Sequence, residues 1–208
     1  MSEYFVPAGS GEAEFVEKRS SFLGHVRFVE TEDAARDFIN EMKKKHYDAR
    51  HNCWCYIIRE GAVRYSDDGE PQGTAGLPML EVFKREGVEN VVCVVTRYFG
   101  GVLLGTGGLL RAYTKSAKDA LDAAGIAAVR RWVKLETACP YSLLERMKTE
   151  CLALDGVVEN IEYGADVRLT LLLPEEKAEE FQARVTELSA GQSRAQAVGE
   201  ELMPVRVR

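Results

Sequence analysis

Val91-Val92-Cys93-Val94-Val95-Thr96-Arg97-Tyr98-Phe99-Gly100-Gly101-Val102-Leu103-Leu104-Gly105-Thr106-Gly107-Gly108 holds a strand, a loop and a helix start in one stretch. The apolar run Val91 to Val95 reads as a buried strand, and a helical pattern begins near Leu109. Between them, five glycines fall within residues 100–108. A turn alone does not need so many. Glycine permits positive φ and close approach of backbone N–H groups to another surface. A glycine-rich loop that opens a helix is also a natural anion site, because the first-turn N–H groups are unpaired and the dipole is positive there. Arg97 and Arg111 bracket the loop.

The 208 residues suit one or two domains, and 46% hydrophobic residues suffice for real cores. No apolar run reaches the roughly 18 residues of a membrane span. Met1 to Glu14 is polar and lacks the apolar segment of a secretory signal, so the cytoplasm is the expected compartment. Cys53, Cys55, Cys93, Cys139 and Cys151 are odd in number and form no CxxC pair, which points to reduced thiols. Residues 1–128 carry 16 Lys/Arg against 19 Asp/Glu, and residues 129–208 carry 11 against 14. Neither half is a basic nucleic-acid module by charge, so any such contact needs a local basic patch.

Working outward, residues 12–18 and 20–29 read as a hairpin, with Phe22, Gly24, Val26 and Phe28 alternating. Thr31 followed by Glu32 and Asp33 starts a helix whose apolar face is Ala34, Ala35, Phe38, Ile39 and Met42. Residues 52–59 and 62–66 form a second hairpin. A turn-rich loop, Ser66 to Gly76, precedes a short helix from about Pro78 to Arg85. The glycine loop leads into a helix ending at Ala124, with Gly125 beyond it. The first unit is thus ββαββαβα, with a boundary near Ala128 to Arg131. Beyond it come a strand at Val133–Cys139, a helix at Tyr141–Ala153 and a hairpin around Gly164. A helix opened by Pro174 and a strand at 194–205 complete the order βαββαβ, that of a ferredoxin-like sandwich.

The glycine loop fails both common nucleotide motifs. Gly100 to Gly105 has Walker A spacing, but Thr106 stands where lysine is needed; Gly105 and Gly107 begin a dinucleotide fingerprint that Leu110 breaks. Gly73-Thr74-Ala75-Gly76 and Gly105-Thr106-Gly107-Gly108 share the pattern Gly-Thr-x-Gly, each before a helix. Two such N-termini either converge on one anion or are two ordinary caps. Asp67, Asp68 and Glu70 suit either a hard cation or, preferably, a surface turn. Cys53 and Cys55, near His46 and His51, lack the spacing of a structural zinc site and read as buried thiols. No metal or cofactor is expected. Arg50-His51 offers an acid–base group or a structural histidine. Trp54, Tyr56, Tyr98, Phe99 and Tyr113 offer base stacking with Arg50, Arg97 and Arg111 on phosphates.

The runs Arg50 to Trp54, Ser66 to Pro78 and Val94 to Tyr113 resemble the signature of the YigZ/IMPACT family, over about residues 1–125. The second unit resembles the C-terminal domain of its bacterial members. The resemblance implies an α+β protein of two domains. Residues 1–129 would take the β-α-β fold of a ribosomal-protein domain, akin to domain IV of elongation factor G. Residues 130–208 would be ferredoxin-like, akin to domain V. It also implies kinship to a eukaryotic translation regulator that restrains stress-kinase signalling and carries an accessory domain absent here.

The expected function is non-enzymatic regulation of translation or of a stress response, through binding of RNA, the ribosome or a translation factor, with no membrane partner. A protein-binding adaptor using Tyr98, Phe99, Val102 and Leu103 is the alternative, followed by an enzyme acting on a phosphorylated small molecule. The candidate contacts are Arg50, His51, Asp67 and Asp68, with Gly73, Thr74 and Gly76 in the first Gly-Thr loop. Arg97, Tyr98, Gly100 and Gly101 follow, then Gly105, Thr106, Gly107, Gly108 and Arg111.

Overall fold

The computed structural model describes residues 3–207. It divides into two compact units, Tyr4–Val129 with residues 204–207, and Arg130–Met203 with Glu3. The first unit holds β1 (Tyr4–Pro7), β2 (Gly11–Glu17), β3 (Ser20–Phe28), α1 (Glu32–Lys45), β4 (His51–Ile57) and β5 (Val63–Ser66). It continues with α2 (Gly76–Glu86), β6 (Val91–Tyr98), α3 (Gly105–Ala124) and the first residues of β7 (Ile126–Cys139). The strands order as β2-β3-β6-β4-β5, every pair antiparallel.

The central strand explains why the Val91 run is apolar throughout. Val91, Cys93 and Val95 join the core under α2 and α3, with Phe22, Cys53, Cys55, Met79, Phe83 and Tyr113. Val92 and Val94 face the other way, into the layer made by Phe38, Ile39 and Met42 of α1 with Tyr56 of β4. A strand covered on both faces loses the polar half of its alternation. Helix α1 starts as expected: the Thr31 hydroxyl accepts the Ala34 N–H at 3.1 Å. Ala34 itself is exposed, one position off the buried stripe.

Two strand starts differ from the sequence expectation. Residues Tyr4–Pro7 form β1, which pairs with Ile126–Val129. Strand β7 accordingly begins at Ile126 and not at Val133. Both pieces are four residues or fewer on their own pairing and carry no alternation for a pattern to catch.

The second unit uses the rest of β7, a single 3-10 turn at Tyr141–Leu143, α4 (Leu144–Ala153), β8 (Val157–Tyr163), β9 (Val167–Pro174), α5 (Glu175–Leu188) and β10 (Gln196–Arg206). Strand β7 lies between β10 and β9, and β8 pairs the far side of β9. This is the split βαβ arrangement of a ferredoxin-like sandwich. Val167, Leu169, Leu171 and Leu173 turn one face to Met147 and Cys151 of α4 and Phe181 and Val185 of α5.

In the first unit, two buried histidines sit beside the sheet. His46 caps α1, and its Nδ1–H donates to the Tyr98 hydroxyl at 3.0 Å, which donates onward to Asp48 at 3.1 Å. The His25 ring centre lies 5.5 Å from that of His46, and His25 Nδ1 is 3.4 Å from a Glu12 carboxylate oxygen. Burial strips the imidazolium of hydration and holds both rings below the ordinary histidine value; Lys45 adds to this, while Glu12 opposes it. In the unfolded chain both rings protonate near pH 6.5. The stability they contribute is therefore whole above about pH 6.5 and is lost as pH falls below it. The urea midpoint is expected to drop between about pH 7 and pH 5, and His25→Leu to flatten that drop. Equal pH slopes in variant and wild type would count against it.

Candidate functional site

Three adjacent strands bring one row of side chains together. Phe22 of β3, Arg97 of β6 and His51 of β4 stand directly opposite one another across the sheet. Strand parity places Arg97 with Cys93 and Val95, and His51 with Cys53 and Cys55, on the face under α2 and α3. A guanidinium turned inward needs a partner. Glu70 supplies it: Oε1 accepts from Arg97 Nη1 at 2.7 Å and from the Tyr113 hydroxyl at 2.8 Å. The Arg97 and Glu70 side chains are 6% and 3% exposed. The guanidinium carbon lies 5.4 Å from the Phe22 ring centre and 5.5 Å from that of Phe99. Burial, with Cys53 and Glu70 beside it, pushes the Tyr113 phenol above its ordinary range, so it remains a donor.

Arg97 is therefore not the free phosphate fork that its place beside the loop suggested. Its charge is spent inside the fold. Its Nε–H is buried with no partner among the described residues.

The two Gly-Thr-x-Gly segments differ in the structure. At α2, Asp67 occupies the helix N-terminus from a distance in sequence. Its Oδ1 accepts from Ala75 N at 3.1 Å and Gly76 N at 2.8 Å, and its Oδ2 from Gly73 N at 2.8 Å. Thr74 caps nothing; its hydroxyl donates to the Pro71 carbonyl at 2.6 Å. Asp68 is spent as well, accepting from Lys43 Nζ at 2.7 Å and Asn52 N at 2.8 Å. The α2 N-terminus already holds an anion of its own chain, so the two helix starts do not share one ligand. These acids serve the turn, as the sequence reading preferred.

At α3 the N-terminus stays open. Its cap position is Leu104, with no side-chain cap bond, and no acid stands in the first turn. Gly105, Thr106 and Gly107 are exposed, as is Arg111 one turn on. Gly101 and Gly105 take positive φ. Gly100 is needed for close approach: a Cβ there would lie 2.1 Å from the Arg19 backbone, in the β2–β3 turn. Gly100 N also donates to Ser20 Oγ at 3.2 Å, which pins the loop to that turn.

Beside the open N-terminus lies a pocket of about 400 Å³ that Arg50, His51, Glu70, Arg97, Phe99, Leu103, Gly105 and Thr106 help to line. The structure thus gathers Arg50, His51, Arg97, Gly105 and Thr106 from the sequence candidates, with Gly107 and Arg111 on the adjoining turn. Asp67, Asp68, Gly73, Thr74 and Gly76 go instead to the α2 start. Tyr98 turns to the opposite face, towards His46 and Asp48. Trp54 and Tyr56 stack on each other at 5.7 Å in the α1 layer, and Tyr113 is fully buried; of the proposed stacking rings Phe99 alone lines the pocket. Glu70 and Tyr113, expected in a surface turn and in base stacking, instead form the buried bonds around the Arg97 charge. The available signal was parity: position 97 continues the inward set 91, 93, 95, and a buried cation demands a carboxylate nearby.

The Impact N-terminal domain family matches residues 18–121, and a domain of unknown function, DUF1949, matches residues 137–192. The IMPACT family member YvyE of Bacillus subtilis is 38% identical, with 93% of this chain and 90% of the relative covered. The IMPACT family member YigZ of Escherichia coli is 34% identical, over 96% of this chain and all of the relative. A solved structure described as that of a hypothetical protein superposes with a TM-score of 0.60 at 32% identity, covering 96% of this chain and 98% of the other.

Proposed function

Because the chain belongs to the IMPACT family, we propose that it is a non-enzymatic regulator of translation or of a stress response that binds RNA, within the ribosome or free. The observation that carries this reading is the open α3 N-terminus, with Arg50 and Arg111 exposed beside it. Unpaired N–H groups and two exposed guanidinium forks make a local phosphate site on an acidic body. Binding is favoured over catalysis because the carboxylates are committed elsewhere. Asp67 caps α2, Asp68 holds Lys43 and a strand N–H, and Glu70 neutralises Arg97. The translation role itself follows from the family resemblance.

A second reading rests on Phe99, Val102 and Leu103, which are 39%, 39% and 82% exposed on the same loop. Apolar side chains grouped at a surface suit a protein partner, such as a translation factor.

Co-sedimentation with ribosomes across a salt series tests both. Wild type should bind at low salt and release as salt rises. Arg50→Ala/Arg111→Ala should bind about tenfold or more weakly at low salt, with a log–log salt slope shallower by about two. Binding that ignores salt and is lost in Leu103→Asp would favour the protein partner. No ribosome or RNA association at low salt would overturn the first reading.

A further inference from the structure

On the α1 side of the same sheet lies a second hollow, of about 360 Å³, that the site above does not use. Trp54 and Tyr56 of β4 line it together. Their rings are nearly parallel, 7° apart in plane, with centres 5.7 Å apart. Tyr56 is buried, and its hydroxyl donates to Glu32 at 3.0 Å. Trp54 is only part-buried, so the layer under α1 leaves part of the indole open to the hollow. Arg64 stands directly opposite Tyr56 across the β4–β5 pair, on the same face, and is exposed.

The charges around the indole favour an anion. Arg36, Lys43 and Arg64 line the hollow against the single carboxylate of Glu32. Counting Asp68, which bonds Lys43 Nζ at 2.7 Å, cations still exceed carboxylates by three to two. On a chain of net charge −6 this is a local basic patch. Asn40, exposed at the same hollow, adds an amide that both donates and accepts. A flat ring, a neutral hydrogen-bonding amide and a cationic rim match a nucleobase with its phosphate. The two hollows meet through one residue. Asp68 bonds Lys43 of this hollow through Oδ1 and His51 of the first pocket through its carbonyl oxygen, 2.9 Å from Nδ1. A strand crossing the Asp68 turn reaches both, and linked contacts bind more tightly than either alone.

We infer that Trp54 is a base-stacking platform, with Arg64 on the adjoining phosphate, and that single-stranded RNA held at α3 continues over Asp68 onto it. The inference rests on the RNA reading above and adds a second contact to it, on the other face of the sheet.

The chain has two tryptophans, so Trp132→Phe leaves the Trp54 emission alone. Titration of that protein with a single-stranded RNA should quench the emission with the same midpoint that anisotropy gives for binding. A strand of equal length that carries phosphates but no bases should not quench it. Trp54→Leu, which keeps an apolar side chain in the layer and is checked for fold by circular dichroism, should bind the RNA about tenfold more weakly. Arg64→Ala should make the log–log salt slope shallower by about one. RNA bound with the Trp54 emission unchanged, or with wild-type affinity in Trp54→Leu, would overturn the inference and leave the RNA reading standing. Equal quenching by the strand without bases would overturn it too, since no base would then be stacked. Absence of RNA binding by the wild type would remove the RNA reading, and the inference with it.

Discussion

Arg97→Ala is expected to destabilise the first unit by about 3–5 kcal/mol, because it strands a buried carboxylate. Glu70 is 3% exposed, and its two side-chain hydrogen bonds come from Arg97 and the Tyr113 hydroxyl, with His51 Nε2 3.9 Å from its other oxygen. A neutral hydroxyl cannot offset the missing cation beside a carboxylate that is 3% exposed. A loss of that size is a large part of the 5–15 kcal/mol that holds a typical domain together. Urea unfolding followed by circular dichroism reads it directly. Arg97→Met/Glu70→Gln should recover part of the loss, since glutamine is neutral and still accepts from Tyr113. If Arg97→Ala unfolds within about 1 kcal/mol of wild type, the pair is not the anchor its burial indicates. The expected result also bears on binding experiments. Lost binding in an Arg97 variant would report a lost fold, whereas Arg50 and Arg111 are exposed and report contact.

Arg97 shows where sequence reading succeeds and where it stops. The strand, the loop and the helix after it were legible because each has its own period, and the ferredoxin-like unit was legible for the same reason. The role of Arg97 was not, because a guanidinium after an apolar run looks like the first residue of a loop. Its partner lies 27 positions earlier, in a turn whose acids look alike. Asp67, Asp68 and Glu70 sit within four positions and have three different jobs: a helix cap, a lysine partner and a buried counter-ion. Local composition marks all three as turn residues, and tertiary contact alone separates them. The Gly-Thr-x-Gly pair misled in the same way. The shared pattern implied shared chemistry, but the cap of α2 comes from Asp67, six to nine residues upstream, and the start of α3 receives none.

Gly24→Val is expected to cost about 3 kcal/mol or more, at the upper end for overpacking. Helix α3 packs on β2 and β3 through small residues: Ser116, Ala120 and Ala124 on the helix, Gly11, Ala13 and Gly24 on the strands. A Cβ on Gly24 would lie 2.5 Å from the Ser116 carbonyl oxygen, and one on Gly11 2.1 Å from that of Ala120. Both obstructions are backbone, so no rotamer change relieves them; the helix must move. Trimming a neighbouring side chain, as in Ala120→Gly, should therefore fail to rescue Gly24→Ala. A rescue, or a Gly24→Val midpoint in urea equal to wild type, would show that the sheet yields more readily than the helix. The displacement has a functional cost as well. Helix α3 is one continuous segment from Gly105 to Ala124, and its N-terminus forms the anion-facing wall of the pocket. Whatever lifts its far half off Gly11 and Gly24 also tilts the N–H groups of Gly105 and Thr106. Gly24→Ala should accordingly weaken RNA binding about as much as it weakens the fold, whereas Arg50→Ala/Arg111→Ala weakens binding and leaves the urea midpoint in place.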